Sequence, residues 1–470
     1  VIALLLTIAL AAVPPPETAA GGLPRGQIVP RVVCASDAEQ SYALYLPSNF
    51  SPDRTLPILY LHDPRRHGAD AVGLFRAAAE KYGWMLAGSN NTESDGPMAP
   101  NIKAMAAVWE DTHRSLPIDP RRVYATGFSG GARAACLLGQ KAVGKVAGVI
   151  GCGAGFADNS PPEKDLPFVF FGTVGNTDFN YREMRRLDVT LAKLGATHRL
   201  AVFDGPHRWP PEELCLRAVE WMELQAMRRG LRARDEALVL EWLGRASSDA
   251  AALEGAGKPG EALARYREIA LDFDGLANLS DVRSGRDRLE KSRDAGKAIQ
   301  RQEKLEEEED RTEDDVFQKL LAALRSDEPA PSQRLVQDLR IPALRHAADS
   351  APTDAEKLSA RRVLAALFVQ TSFYLPREYL GKRDIRRARL CNAVALEVRP
   401  SQAGIVLYNF ACLQAQAGDR PGAMTSLESA VEKGFNDASL LETDPDLASL
   451  RADAAFGKIL ERVKAKAAHD

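Results

Sequence analysis

Between residues 40 and about 228 the chain repeats one pattern: a short, almost unbroken apolar run, then a stretch with helical spacing. The runs are SYALYLP, LPILYLHD, GWMLAGSN, RVYATGFS, VAGVIGCGAG, LPFVFFGTV and HRLAVFDG. The clearest amphipathic stretches are residues 102–114 and 181–194. Runs apolar on both faces must be buried on both faces, and amphipathic helices supply the cover. Together they predict an α/β fold with a mostly parallel sheet between helices.

Beyond about residue 230 the strand-like runs stop, and Ala, Leu, Glu and Arg dominate. This half is expected to be helical throughout. The charge run RQEKLEEEEDRTEDD, from Arg301, is expected to form a solvated helix or linker. A pattern recurs in AGKPGEALARYREIALDF, AGDRPGAMTSLESAVEKGF and, more loosely, LGKRDIRRARLCNAVALEVRP. In each, a turn precedes a small residue that allows close helix contact. This resembles the tetratricopeptide repeat, with Ala262, Ala388 and Ala423 at its small-residue position. A non-repeating helical bundle is the alternative. The expected division is a signal peptide or hydrophobic segment at 1–22, an α/β domain at 35–228, and a helical domain at 235–470 with its charged segment near 301–315.

A net charge of -3 argues against a general nucleic-acid binder, which needs excess Lys and Arg to neutralise phosphates. VIALLLTIALAA, followed by PPPETAAGG, has the makings of an export signal, or of an anchor left uncleaved. Export places the chain in the periplasm or outside the cell. None of the six cysteines pairs as C-x-x-C, so no zinc or redox site is expected. Most are expected to be small buried hydrophobes.

The chemistry centres on YATGFSGGARAA, which contains G-x-S-x-G as Gly127-Phe128-Ser129-Gly130-Gly131. A strand-like run precedes it and a helical pattern follows. That is the setting of a nucleophile elbow, with Ser129 at its tip. Side chains at 127 and 131 would collide as strand and helix fold back on each other. The Gly130 N–H, at a helix start, is one candidate oxyanion donor. A serine nucleophile needs a base, and the base needs an orienting acid. Of the seven histidines, His207 lies just past the strand HRLAVFDG, where α/β enzymes place catalytic groups. Asp178 is the carboxylate in the loop after LPFVFFGTV; a helix N-cap is its alternative role, and Asp204 is a second, weaker acid candidate.

With these residues placed, the region from Gln40 to Arg228 resembles the α/β-hydrolase fold. It is most similar to the secreted esterase branch holding polyhydroxybutyrate depolymerases, feruloyl esterases and dienelactone hydrolase-like proteins. QSYALYLPSNF with LPILYLHD resembles that branch's opening strands, IDPRRVYATGFSGGARAA its elbow, and GPHRWPP its His loop. The resemblance implies a Ser129–His207–Asp178 triad with no metal or cofactor. Two departures stand out. Where the family has His-Gly, this chain has His62-Asp63-Pro64, and a proline has no N–H to give an oxyanion. Asp63 or Arg65 would then have to supply the second donor. Asp178 also comes about three residues later than the family's acid, so its loop must bulge.

The leading expectation is an exported serine esterase acting on a small-molecule or polymeric ester. A degenerate hydrolase domain joined to repeats, serving as an exported scaffold for a protein or peptide partner, is the competing expectation. A peptidase of the same fold is a third.

Overall fold

The computed structural model describes residues 22–327 and 331–467, so the apolar run taken for an export signal lies outside the described residues. Among the described residues no helix is long and apolar enough to cross a membrane. The chain forms two compact units. One runs to Asn176 and continues over Asn180–Ile299; the other comprises Thr177–Phe179 and the chain from Gln300 onward.

The first unit is built on an eight-stranded sheet: β1 Ile28–Cys34, β2 Asp37–Tyr45, β3 Leu56–His62, β4 Met85–Ser89, β5 Ile118–Phe128, β6 Gly148–Cys152, β7 Val169–Gly175 and β8 His198–Phe203. The spatial order is β1-β2-β4-β3-β5-β6-β7-β8. β2 pairs antiparallel with β1 and β4, and every other pairing is parallel. This mostly parallel sheet fits the α/β-hydrolase fold. The seven apolar runs become β2 to β8. Strands β3, β4, β6 and β7 are buried along their whole length, which is why their sequences lack alternation. β1 escaped the pattern. It is an edge strand with a register shift around Pro30 and Arg31, and a proline breaks its run where no partner needs the N–H.

Neighbouring residues of one strand face opposite layers. Leu59, Tyr124, Ile150 and Phe171 pack against α1 (Gly68–Tyr82) and against the helix Glu212–Arg228. Ile58, Tyr60 and Val123 face the other way, onto α2 (Met98–Ser115). On that same side Ala125, Val149 and Phe170 meet α3 (Gly130–Lys141) and α4 (Tyr181–Lys193). Each such aliphatic or aromatic side chain contributes about 1.5–3 kcal/mol by leaving water.

The helix Glu212–Arg228, α5, is also the base for three more: α6 Glu236–Gly255, α7 Pro259–Asp272 and α8 Ser280–Glu290. Leu224 and Met227 of α5 share a core with Trp242, Leu263, Ile269 and Val282. Polar bonds tighten the seam. Glu220, almost fully buried, accepts from Tyr82 (2.7 Å) and pairs with Arg245. Asp272 accepts from Trp221 Nε1 (2.8 Å) and Arg199 (2.7 Å). The change in sequence texture near residue 230 is therefore not a packing boundary.

In the second unit, Leu375–Gly381 pairs with Ile385–Val398, and Ala403–Gln416 with Arg420–Glu432. Ala388 and Ala423 lie in the first turns of the later helices, fully buried, as does Ala262 in α7. Asp384 and Asp419 cap two of these helices by accepting from Arg387 N (3.0 Å) and Gly422 N (3.1 Å). The charged run from Arg301 lies in the helix Arg293–Arg325, and one of its members is not solvated. Glu309 is 2% exposed and takes a two-pronged bond from Arg362. All six cysteines are free and buried; burial pushes the Cys34 and Cys152 thiols up to about 11, so both stay protonated and inert near neutral pH.

Candidate active site

Ser129 stands between the end of β5 and the start of α3, with φ 53° and ψ −121°. A serine with positive φ is a strained backbone position, held only because its surroundings fix it. Here they do. The Ser129 N–H donates to Cys152 O at 2.8 Å, and its carbonyl accepts from Ala132 N at 3.0 Å. Gly127 and Gly131 are required by contact, as their spacing predicts. A Cβ on Gly127 would lie 2.2 Å from the Gly131 carbonyl, and one on Gly131 would lie 1.9 Å from the His62 carbonyl oxygen. The side chain of Ser129 is thus displayed at the carboxyl end of the sheet. The Gly130 N–H sits at the first position of α3, where helix N–H groups have no partner within the helix.

His207 reaches the same place from the loop after β8. Its ring lies 4.5 Å, centroid to centroid, from Phe128, the residue before Ser129. A Cβ on Gly153 would lie 3.3 Å from His207 Nδ1, and Gly153 follows the Cys152 whose carbonyl holds the Ser129 N–H. Trp209, two residues on, packs against Phe128 at 5.7 Å and Phe75 at 6.3 Å.

Asp178 follows β7 and is fully buried. The residues on either side are tied to the His207 neighbourhood. Asn176 Oδ1 accepts from Gly205 N at 3.1 Å, and Asn180 Nδ2 donates to Gly153 O at 2.8 Å. The extra residues before Asp178 are explained by β7, which runs through Gly175. Asp204 is exposed and receives the Asn176 amide at 2.9 Å, a surface contact.

The turn after β3 uses the Asp63 side chain in a way the sequence did not signal. The Asp63 carboxylate, buried, accepts from Arg65 N (2.8 Å), His67 N (3.2 Å) and Trp209 Nε1 (2.9 Å). Arg66 N donates to Thr92 O at 3.1 Å. Arg65 is therefore not an available oxyanion donor: its N–H is taken by Asp63. With Pro64 lacking an N–H, Asp63 N–H is the donor left in this turn. The segment after β4 lies alongside: Thr92 Oγ1 donates to Asp63 O (3.0 Å), and Ser94 N to Pro64 O (3.0 Å). Sequence reasoning missed Ser94, Trp209 and the carboxylate of Asp63. The Trp in GPHRWPP was visible, but nothing in the sequence says where its indole N–H goes.

Two further histidines have local partners of their own. His113 contacts the Trp109 carbonyl at 2.9 Å, and His198 pairs with Asp188 at 3.2 Å. His62 is buried, neither ring nitrogen meets a hydrogen-bond partner among the described residues, and burial lowers its pKa to about 4.

No family model matches the chain. An 82-residue stretch is 27% identical to a chloroplastic protein of Arabidopsis thaliana, over 17% of this chain and 24% of that protein. The chain thus spans about a quarter of the length of that curated relative. Among solved structures, fluorophosphonate-binding serine hydrolase F of Staphylococcus aureus is similar at 14% identity and a TM-score of 0.36, over 42% of this chain and 99% of that one. A truncated carbohydrate esterase from gut microbiota shows 16% identity and 0.36, over 45% and 99%. Est1E from Butyrivibrio proteoclasticus shows 13% and 0.33, over 42% and 98%.

Proposed function

We propose that the chain is a serine hydrolase cleaving carboxylic esters, with Ser129 as nucleophile, His207 as general base and Asp178 as the acid that orients it. The observation that carries this is the Ser129 turn: positive φ, two glycines forced by contact, and an imidazole packed against the neighbouring Phe128. Such strain needs a reason, and display of a nucleophile supplies one. Ser129 Oγ attacks the ester carbonyl, and His207 takes its proton and passes it to the departing alcohol. The Gly130 and Asp63 N–H groups hold the oxyanion. Water then repeats the sequence on the acyl-enzyme. The proposal needs no metal or cofactor, and its substrate is a small-molecule or polymeric ester. Export rests on the sequence of residues 1–22, and binding of a protein or peptide by tetratricopeptide-like hairpins on Ala388 and Ala423.

The test is hydrolysis of p-nitrophenyl acetate and butyrate, with fluorophosphonate labelling of Ser129, by wild type and Ser129→Ala. Activity and label lost together in the variant support the proposal; a wild type that shows neither overturns it. One observation favours the second reading, an exported scaffold on a degenerate hydrolase domain: the turn after β3 has spent the N–H groups of Arg65, Arg66 and His67 on its own structure.

A further inference from the structure

We infer that Ser94 is a further catalytic residue, its hydroxyl donating to the oxyanion in place of the N–H that Pro64 lacks. The inference rests on the ester-hydrolase proposal above and deepens it.

Ser94 Oγ is shielded from solvent and has no hydrogen-bond partner among the described residues. A buried hydroxyl is rarely left so, because desolvation without a bond is costly, and each exception asks for an explanation. Its position offers one. A Cβ on Gly130 would lie 2.1 Å from Ser94 Oγ and 2.9 Å from Ser94 Cβ. The space that a side chain at 130 would fill is occupied by this hydroxyl, against the residue whose N–H begins α3. The G-x-S-x-G pattern leaves position 130 open, so Gly130 is explained by Ser94 and not by the elbow.

Ser94 is held there by backbone bonds. Its N–H donates to Pro64 O (3.0 Å), Arg66 N to Thr92 O (3.1 Å), and Asn101 Oδ1 accepts from Glu93 N (2.9 Å). The residue that removed a donor from the turn after β3 therefore anchors, through its carbonyl, the residue that brings one back. A hydroxyl hydrogen turns freely about its bond, so it can aim at charge that develops beside Gly130 without moving the backbone. Shielded from water, such a donor acts at full strength.

As the Ser129 Oγ–C bond forms, the carbonyl π pair moves onto oxygen and the serine proton moves to His207. The oxyanion then takes hydrogen bonds from Gly130 N–H, Asp63 N–H and Ser94 O–H. Collapse returns the pair, breaks the ester C–O bond, and the alcohol leaves with the proton from His207. Ser94 forms no covalent bond.

Kinetics on p-nitrophenyl butyrate with the full chain test this. Ser94→Ala should lower kcat about 100-fold, the scale of one oxyanion donor, with KM changed by less than about twofold. A trifluoromethyl ketone, whose hemiketal carries the oxyanion, should bind the variant weaker by a similar factor, while the melting temperature does not fall. Gly130→Ala should displace Ser94 and cost a comparable factor. A Ser94→Ala enzyme with wild-type kcat, or a loss confined to KM, would overturn the inference while leaving the hydrolase standing. A wild type neither active nor labelled by fluorophosphonate would overturn both.

Discussion

Two turns at the carboxyl end of the sheet, one after β5 and one after β3, lie against each other and have opposite characters. The β5 turn is open. Its glycines clear space, Ser129 is strained outward, and Gly130 N–H begins a helix without an internal partner. The β3 turn is closed. The Asp63 carboxylate gathers two backbone N–H groups and an indole, and Arg66 N is bonded to Thr92. On the proposed reading, one turn is organised to meet a substrate and the other to stay rigid. A stiff neighbour suits the strained Ser129 backbone, because strain persists only where its surroundings over-determine it.

Four experiments probe that contrast. The largest effect belongs to the open turn: Ser129→Ala should lower kcat at least about 10,000-fold, with unchanged denaturation by urea. Gly131→Ala should close the open turn by force, since its Cβ would meet the His62 carbonyl oxygen at 1.9 Å. A loss of about 3 kcal/mol in unfolding free energy is expected, and a variant as stable as wild type would show that the two turns are not in hard contact.

The third uses pH. The folded pKa of His62, about 4, lies below its ordinary 6.5. Above pH 6.5 the ring is neutral in both states and contributes no pH dependence. As pH falls through 6.5 the unfolded chain binds a proton that the folded chain refuses, so stability declines until about pH 4. Between pH 7 and pH 4.5 this amounts to about 2.5 kcal/mol. Urea melts at the two pH values should show that drop, and His62→Gln should remove it. The smallest effect is a repair. Pro64→Ala restores an N–H to the closed turn, and in a Ser94→Ala background it should recover about tenfold of the lost kcat. No recovery would mean the turn aims that N–H elsewhere.

How much of this was legible in the sequence follows from the range of the forces involved. The sheet was legible because burial on both faces leaves unbroken apolar runs. The tight strand-to-helix turn at Ser129 was legible because its close contacts are local, Gly127 on Gly131. β1 was not, since an edge strand needs no such run and Pro30 interrupts it. Ser94 was not, because a serine in NNTESDG gains meaning only when another segment brings Gly130 against it. Glu309 was not, because its guanidinium partner lies at position 362 and a charge run by itself signals water. The carboxylate of Asp63 falls between: the sequence marked the residue for its N–H, and the fold uses its side chain as well.

The seam between α5 and the three helices after it bears on how the chain can be divided. Glu220 and Glu223 are buried, and two of their cationic partners, Arg245 and Arg232, lie past the point where the sequence changes texture. A polypeptide ending at Arg228 would keep both carboxylates inside and discard both guanidinium groups, leaving Glu220 to Lys81, while baring Leu224 and Met227. Such a fragment is not a portable cassette. Anyone wishing to transplant, shorten or fuse the sheet-bearing unit should not cut at Arg228, because the joint that looks like a hinge on paper is a weld.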